Sequence, residues 1–398
     1  MNTFDVMIVG GALTGSTLAL ALIKQQPHLR VGLIEKNLPK AAQSAFDSRC
    51  VALSAGSVCH LKDWGLWPLF AHAAAPIRSI HVSDQGHFGL LRFTPETTGV
   101  KAMGQVISLA QTGEALHQAL QASQVACFAP DALLDLQPDA QGYHVTLDSG
   151  IKCRTKLVIA ADGLHSRVRS QLGLPIEQHD FHQFGYVFNI RTALAHQNCA
   201  FERFTAEGPL AVLPMQDPYT SSVVWSLSNP QRMAEHQPDL EAFRAQLQTV
   251  LGYRLGEVQD HTLPKVYPLI SAHMPRFVGH RCLFMGNAAQ MLHPIAGQGF
   301  NLGLRDIADW LLLIKNKTEN ADDYGKWSLL NRYAQDRRRD KMKILTVTES
   351  LVRCFSNQHP LWIQGRTLGM SLLGMSLHWQ KRLAQQAMAL NKAPLRYL

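Results

Sequence analysis

The chain is 398 residues long, 46% hydrophobic and only 17% charged, which excludes a disordered polypeptide and is too long for one small domain. Its formal net charge is +8, but the Lys and Arg are scattered and no basic motif is interleaved with aromatics, so no nucleic-acid partner is expected. Seven cysteines, at 50, 59, 127, 153, 199, 282 and 354, form no Cys-x-x-Cys pair, so no metal or redox dithiol is expected and reduced thiols in a cytoplasmic protein fit.

The first strand is predicted over Phe4 to Gly10, an almost continuous apolar run of the kind buried on both faces of a parallel sheet. It begins too early to leave space for a signal peptide, and no uncharged apolar run reaches membrane-spanning length. A glycine-rich turn follows, then an apolar helix from about Thr14 to Lys24 and a second buried strand from Arg30 to Glu35. Together they predict a βαβ unit.

In the turn, Gly10-Gly11-Ala12-Leu13-Thr14-Gly15, the first Gly permits the sharp bend. A small third residue lets backbone N–H groups approach a pyrophosphate, and Gly15 lets helix pack on strand. The helix N-terminus then presents partial positive charge to the phosphates. Glu35, with Lys36 beside it, lies about twenty residues beyond Gly15, where a carboxylate binds both ribose hydroxyls. Ala12 stands where Gly is usual, and its methyl group is expected to crowd the pyrophosphate and weaken retention.

Further along, an amphipathic helix is predicted over Gly113–Ala122, a strand over Tyr143–Leu147, and a buried strand over Leu157–Ala161 that leads into Asp162-Gly163. From Gly185 to about Leu227 the pattern is β-rich, with YVFNI, AFERF, PLAVLPM and SSVVWSL punctuated by Gly and Pro. A buried strand RCLFM (281–285) precedes the segment GNAAQMLHPIAGQGFNLGLRD and a helix from about Phe300. The remainder is mainly helical. There the run Arg337-Arg338-Arg339 with Lys341 and Lys343 reads as a solvated helix face.

These segments resemble the flavoprotein hydroxylases of the para-hydroxybenzoate hydroxylase fold. The shared marks are the glycine turn, FDSRCVALS with Arg49, Gly104-Gln105, Asp162-Gly163 and the Gly286 to Asp306 segment. FDSRCVALSAGS, HVSDQGHFG, AFERFTAEGPLAVLPM and VTESLV further resemble the ubiquinone-biosynthesis hydroxylases, over nearly the whole chain. The implied fold is α/β: a Rossmann-like FAD-binding domain, an inserted β-rich substrate domain and a helical C-terminal region. The implied boundaries are 1–180 (including some substrate-domain strands), 181–275, 276–321 and 322–398.

The resemblance implies FAD as cofactor, an external reductant, NAD(P)H, and molecular oxygen. It implies hydroxylation of a polyprenylated methoxyphenol through a C4a-hydroperoxyflavin, with the protein positioning the ring and excluding water. Gly10, Gly11, Ala12, Thr14, Gly15, Glu35, Lys36, Arg49, Gln105, Asp162, Gly286, Asn287, Pro294, Gly297, Gly299 and Asn301 are the cofactor candidates. Asn287 replaces the family's Asp and keeps a hydrogen bond to a ribityl hydroxyl without the charge. The loop Pro294–Gly299, just before a helix, can stabilise the negative edge of reduced flavin.

Arg49, His293 and Pro294 are the catalytic candidates, but no spacing selects a base for the phenol. Leu213, Met215, Val223 and Trp225, with Leu210 and Val212, are the apolar pocket candidates, against the alternative that they are sheet core. A polyprenyl tail implies an apolar tunnel or access to a bilayer. Leu361–Leu390, rich in Leu, Met and Trp, is a candidate interfacial or partner-binding segment, against the alternative of a helix packed on the core. Peripheral contact with the inner membrane and membership of a ubiquinone-biosynthesis complex follow as expectations. A sister enzyme acting at another ring position and a non-catalytic FAD-bound scaffold remain open.

Overall fold

The computed structural model describes residues 2–38, 49–88, 90–228, 240–292, 298–315, 323–356, 360–390, 393–394 and 397. The chain opens with β1 (Asn2–Val9), α1 (Leu13–Gln25), β2 (Val31–Ile34), β3 (Cys50–Ser54), α2 (Ala55–Asp63) and α3 (Pro68–Ala71). Next come β4 (Ala74–Ile77), β5 (Ser79–Asp84), β6 (Leu90–Phe93), α4 (Pro95–Thr98), β7 (Gly104–Ser108) and α5 (Leu109–Gln121). Then follow β8 (Ala126–Phe128), β9 (Leu133–Asp139), β10 (Gly142–Leu147), β11 (Lys152–Ala160) and α6 (Arg167–Gln171). There follow β12 (Glu177–Thr192), β13 (Cys199–Phe204), β14 (Pro209–Pro214), β15 (Thr220–Leu227), α7 (Leu240–Leu251), β16 (Val258–His261) and β17 (Lys265–His273). The chain then returns through β18 (Val278–Gly279), β19 (Cys282–Phe284), β20 (Gln290–Met291), α8 (Gln298–Lys315), α9 (Trp327–Ser356), α10 (Pro360–Met375) and α11 (Leu377–Ala387).

The first sheet has the order β18-β19-β11-β1-β2-β8. Its central strands are parallel, with Val9 opposite Ala160 and Ile34, and Ala160 opposite Phe284. This is why FDVMIV, VGLI and LVIA are apolar without alternation: helices cover both faces. Val6–Val9 and Leu157–Ala160 are all buried. The middle of α1, from Gly15 to Leu22, is buried, packed between β1, α5 and α8.

A nine-stranded sheet, mainly antiparallel, runs β20-β17-β12-β15-β14-β13-β5-β6, with β16 on β12. It takes β5 and β6 from before the return of β11, so the two sheets are threaded through one another. On one face Tyr186, Phe188, Leu210, Val212, Val223 and Trp225 form a core with Phe243 and Leu247 of α7. The other face turns toward the three-stranded sheet β3-β7-β4, where Leu213 and Ala200 meet Cys50, Ala52, Ile77 and Val106. The C-terminal helices close a further core, in which Met370, Ala384 and Met388 pack on Leu91, Phe93, Cys59 and Met103.

The α/β fold class read from the sequence holds. Two expectations about side chains do not. Val223 and Trp225 belong to the core beneath α7, as do Leu210 and Val212, on the face turned away from the three-stranded sheet. Alternation identifies two faces of a strand but not which one meets the cofactor unit. The basic run of α9 is not a solvated face throughout: Arg338 and Arg339 are exposed, but Arg337 is fully buried and Lys341 nearly so.

Candidate functional site

The site begins where β1 ends. Gly10 has φ +99, in the left-handed region that favours glycine, and a Cβ there would lie 2.5 Å from the Ala161 carbonyl oxygen. At Gly15 a Cβ would lie 1.8 Å from the Gly10 carbonyl oxygen, so only Gly lets α1 start this close to β1. Ala12, at the N-cap, offers no side-chain cap, and the first turn has no acidic residue. The leading N–H groups therefore keep their capacity for an external acceptor, the arrangement that suits a phosphate.

Glu35 follows β2 and accepts hydrogen bonds from Gly11 N–H at 2.5 Å and Asn37 N–H at 2.8 Å. A carboxylate has about four acceptor positions, so it fixes the turn and still has capacity for two ribose hydroxyls. Lys36 beside it is exposed.

The second segment leaves β11. Asp162 accepts from Val168 N–H at 3.3 Å through Oδ2, whereas Oδ1 is buried without a partner. Burial raises its carboxyl above the usual range. An orphaned buried acceptor next to the glycine turn fits a cofactor hydroxyl. Arg169, which sequence reasoning did not single out, donates to the carbonyls of Leu164 and Ala288, the latter at 3.2 Å. It thereby ties this segment to the third one.

That third segment is the single-turn 3-10 helix Gly286–Ala288. Thr14 reaches it from α1: a Cβ at Gly286 would lie 3.0 Å from Thr14 Oγ1, and one at Gly303 of α8 would lie 2.8 Å from it. Asn287 is exposed between these contacts, with its amide available for a ribityl hydroxyl. The Gly286 N–H donates to Asp306 Oδ2 at 2.9 Å.

Asp306 is the centre of a buried ionic cluster. Its Oδ1 accepts from Arg337 Nε at 2.8 Å, and Arg337 also pairs with Asp309 at 3.0 Å and Asp340 at 2.5 Å. Arg305 pairs with Asp340 at 3.5 Å. Lys341 Nζ lies 3.8 Å from Asp306 and over the Phe277 ring. Burial alone would lower the Arg337 pKa, but the three carboxylates reverse that and hold it above its ordinary value. Burial pulls the Lys341 ammonium down to about 8 despite Asp306. The Gly286 peptide is thus anchored through α8 to α9.

Other candidates fall as follows. Arg49 is exposed, and its guanidinium donates to the Tyr267 hydroxyl at 3.0 Å, bridging β3 to β17. Gln105 is half-buried on β7, between Leu53 and Pro76. Asn301 is buried, and its side-chain amide accepts from Ser54 N–H at 2.8 Å and Ser57 Oγ at 2.7 Å and donates to Ala52 O at 2.8 Å. It fastens α8 to β3 and α2, so its side chain positions the site and has no free polar edge for a cofactor. Gly299 lies in the first turn of α8 with open space around it. His293, Pro294 and Gly297 lie outside the described residues.

Residues 3–348 match the model of the FAD binding domain family. A ubiquinone hydroxylase of Rhodospirillum rubrum, UbiL, is 34% identical over 92% of this chain and 85% of its own length. The chain belongs to the ubiquinone-biosynthesis flavin hydroxylase family. It is an FAD-dependent monooxygenase, and the three converging segments are the candidates for its FAD cradle. The Escherichia coli 3-demethoxyubiquinol 3-hydroxylase is 29% identical over 92% of this flavin hydroxylase and 93% of its own length. The crystal structure of p-nitrophenol 4-monooxygenase PnpA from Pseudomonas putida superposes with a TM-score of 0.79 at 16% identity, covering 98% of both chains, which places the fold.

Between the two sheets, this flavin hydroxylase has a cavity of about 310 Å³. Cys50, Val106 and Gln111 line one side, and Arg191, Met215 and Thr220 the other. Met215 is the pocket candidate found there. Leu213 packs at the seam beside it, against the three-stranded sheet.

Proposed function

We propose that this chain hydroxylates the ring of a 2-polyprenyl-6-methoxyphenol to the corresponding benzoquinol in ubiquinone biosynthesis, using NAD(P)H and oxygen. What supports this most is one arrangement: the inner face of the large sheet packs through Ala200 and Leu213 against the strands beside Arg49 and Gln105, and the cavity lined by Cys50, Val106 and Met215 opens at that seam. Relatives named as a ubiquinone hydroxylase and a 3-demethoxyubiquinol 3-hydroxylase support a ring of the ubiquinone series.

Bound and reduced FAD supplies the oxygen-activating chemistry. The chain does the rest. The Gly10–Gly15 turn and the start of α1 hold the pyrophosphate, Glu35 the ribose, and Asp162 and Asn287 the remaining hydroxyls. The apolar inner face orients the ring and excludes water, which keeps the activated oxygen from being lost as peroxide.

The tail calls for a route to lipid. Among the described residues no helix is long and apolar enough to cross a membrane. However, Leu368, Leu372, Met375, Leu377 and Trp379 of α10 and α11 are exposed, beside the β5–β6 hairpin whose Phe88 is 97% exposed. No Asp or Glu follows Glu349, whereas Arg353, Lys381, Arg382, Lys392 and Arg396 do, besides Arg366, which pairs with Asp84. An apolar surface with this charge suits peripheral contact with an anionic bilayer.

The test is product identification by mass spectrometry after the FAD-loaded protein is incubated with a prenylated methoxyphenol, NAD(P)H and labelled oxygen. A product heavier by one labelled oxygen atom is expected. Reductant oxidation that yields only peroxide with every ring offered would overturn the reading.

A further inference from the structure

The inner face of the large sheet carries a carboxyl group that the cradle does not use. Glu202 lies in β13, opposite Ala211 of β14 and Val82 of β5. Alternation puts it on the opposite face from Phe201, which packs on the core beneath α7. It therefore shares a face with Ala200 and Leu213, which meet the three-stranded sheet. Its row continues across the sheet through Ala211, Val224 and Val187, a floor of small apolar side chains. On the far side, Tyr267 of β17 holds the Arg49 guanidinium over the same face. Four strand spacings of ~4.8 Å put about 19 Å between β17 and β13, enough for a substituted ring between them.

The residue is half-buried, but its Oε1 is sealed from solvent and has no hydrogen-bond partner. Burial pushes its carboxyl up to about 7, with no charged neighbour acting on it. An unpaired buried acid stabilises nothing in the fold, and at the end of this apolar row it offers an unmet polar group to a ligand.

We propose that Glu202 accepts the proton of the substrate's phenolic hydroxyl as the ring is hydroxylated; this rests on the function proposed above. The phenolic O–H bond breaks with its electron pair left on oxygen, which enriches the ring carbon that gains the new C–O bond. One atom of dioxygen enters the ring and the other leaves as water, with two electrons from NAD(P)H. The ring then sheds its C–H proton, Glu202 returns its own, and both ring oxygens end as hydroxyls.

The test uses the FAD-loaded protein and 2-prenyl-4-nitrophenol, whose ionisation is followed by difference absorption. In the wild type the bound probe and Glu202 titrate as a pair, so its apparent pKa lies at least about one unit above that in Glu202→Gln. In the same variant, product from a prenylated methoxyphenol falls about 100-fold. FAD content is unchanged, the rise of rate through neutral pH is lost, and Glu202→Asp restores part of it. Identical probe titrations in wild type and Glu202→Gln, or full product formation with the pH limb intact, overturn the proposal. Displaced titrations with no product from the wild type support Glu202 as the phenol's partner and refute the hydroxylation itself.

Discussion

Replacing Arg337 by Met removes the one guanidinium that touches Asp306, Asp309 and Asp340 together. Arg305 and Lys341 then remain against three carboxylates, and Asp306 is fully buried. Leaving a buried charge uncompensated costs about 3–5 kcal/mol. At ~2.1 cal/mol/K per residue, a chain of this length unfolding as one unit has an entropy of about 0.8 kcal/mol/K, so Tm should fall by about 4–6 °C. The assay is thermal unfolding of the FAD-free protein, with Asp306→Asn and the double variant measured alongside. The two single losses should fail to add by at least about 1 kcal/mol, because each removes the same contact. FAD retention should weaken in Asp306→Asn, since the Gly286 peptide loses its anionic anchor. A Tm unchanged within about one degree in Arg337→Met, or strict additivity, would refute the reasoning.

Ala12→Gly should lower the FAD dissociation constant about three- to tenfold by removing a methyl beside the pyrophosphate; fluorescence titration checks it, and an equal or weaker affinity contradicts the crowding. Lys341 has a folded-state pKa lowered to about 8, below its unfolded value, so the unfolded chain binds more protons between about pH 8 and 10.5. Wild-type stability measured against Lys341→Met should therefore rise across that window, and a difference flat with pH rules this out. Leu372→Ser combined with Met375→Ser and Trp379→Ser should weaken sedimentation with anionic vesicles while leaving FAD content intact. Equal sedimentation would show that this surface does not meet lipid.

The candidate cradle was legible because the chemistry proposed for it needs particular residues at fixed offsets: Gly10 and Gly15 for a turn, Glu35 at the end of the next strand, Asp162 after a third. The buried parallel strands were legible from their lack of alternation. The ionic cluster was not, because Arg337 and Lys341 stand in a basic run and their acidic partners Asp306 and Asp309 lie on another helix, α8, 31 and 28 residues before Arg337. Nor could Val223 be told from Val224 as pocket or core without knowing that α7 covers one face. Glu202 gave no signal at all: its environment is set by strands 79–84, 209–214 and 220–227, and an isolated Glu in AFERF matches no spacing rule.

Thr14 wedges between Gly286 and Gly303, nearly three hundred residues downstream. A chain emerging from the ribosome therefore has its phosphate turn early but lacks the opposing wall until the residues of α8 are out. Firm capture of the dinucleotide should therefore wait for residues 298–315, so retained flavin would report that two stretches far apart in the chain have met and not merely that the beginning has folded.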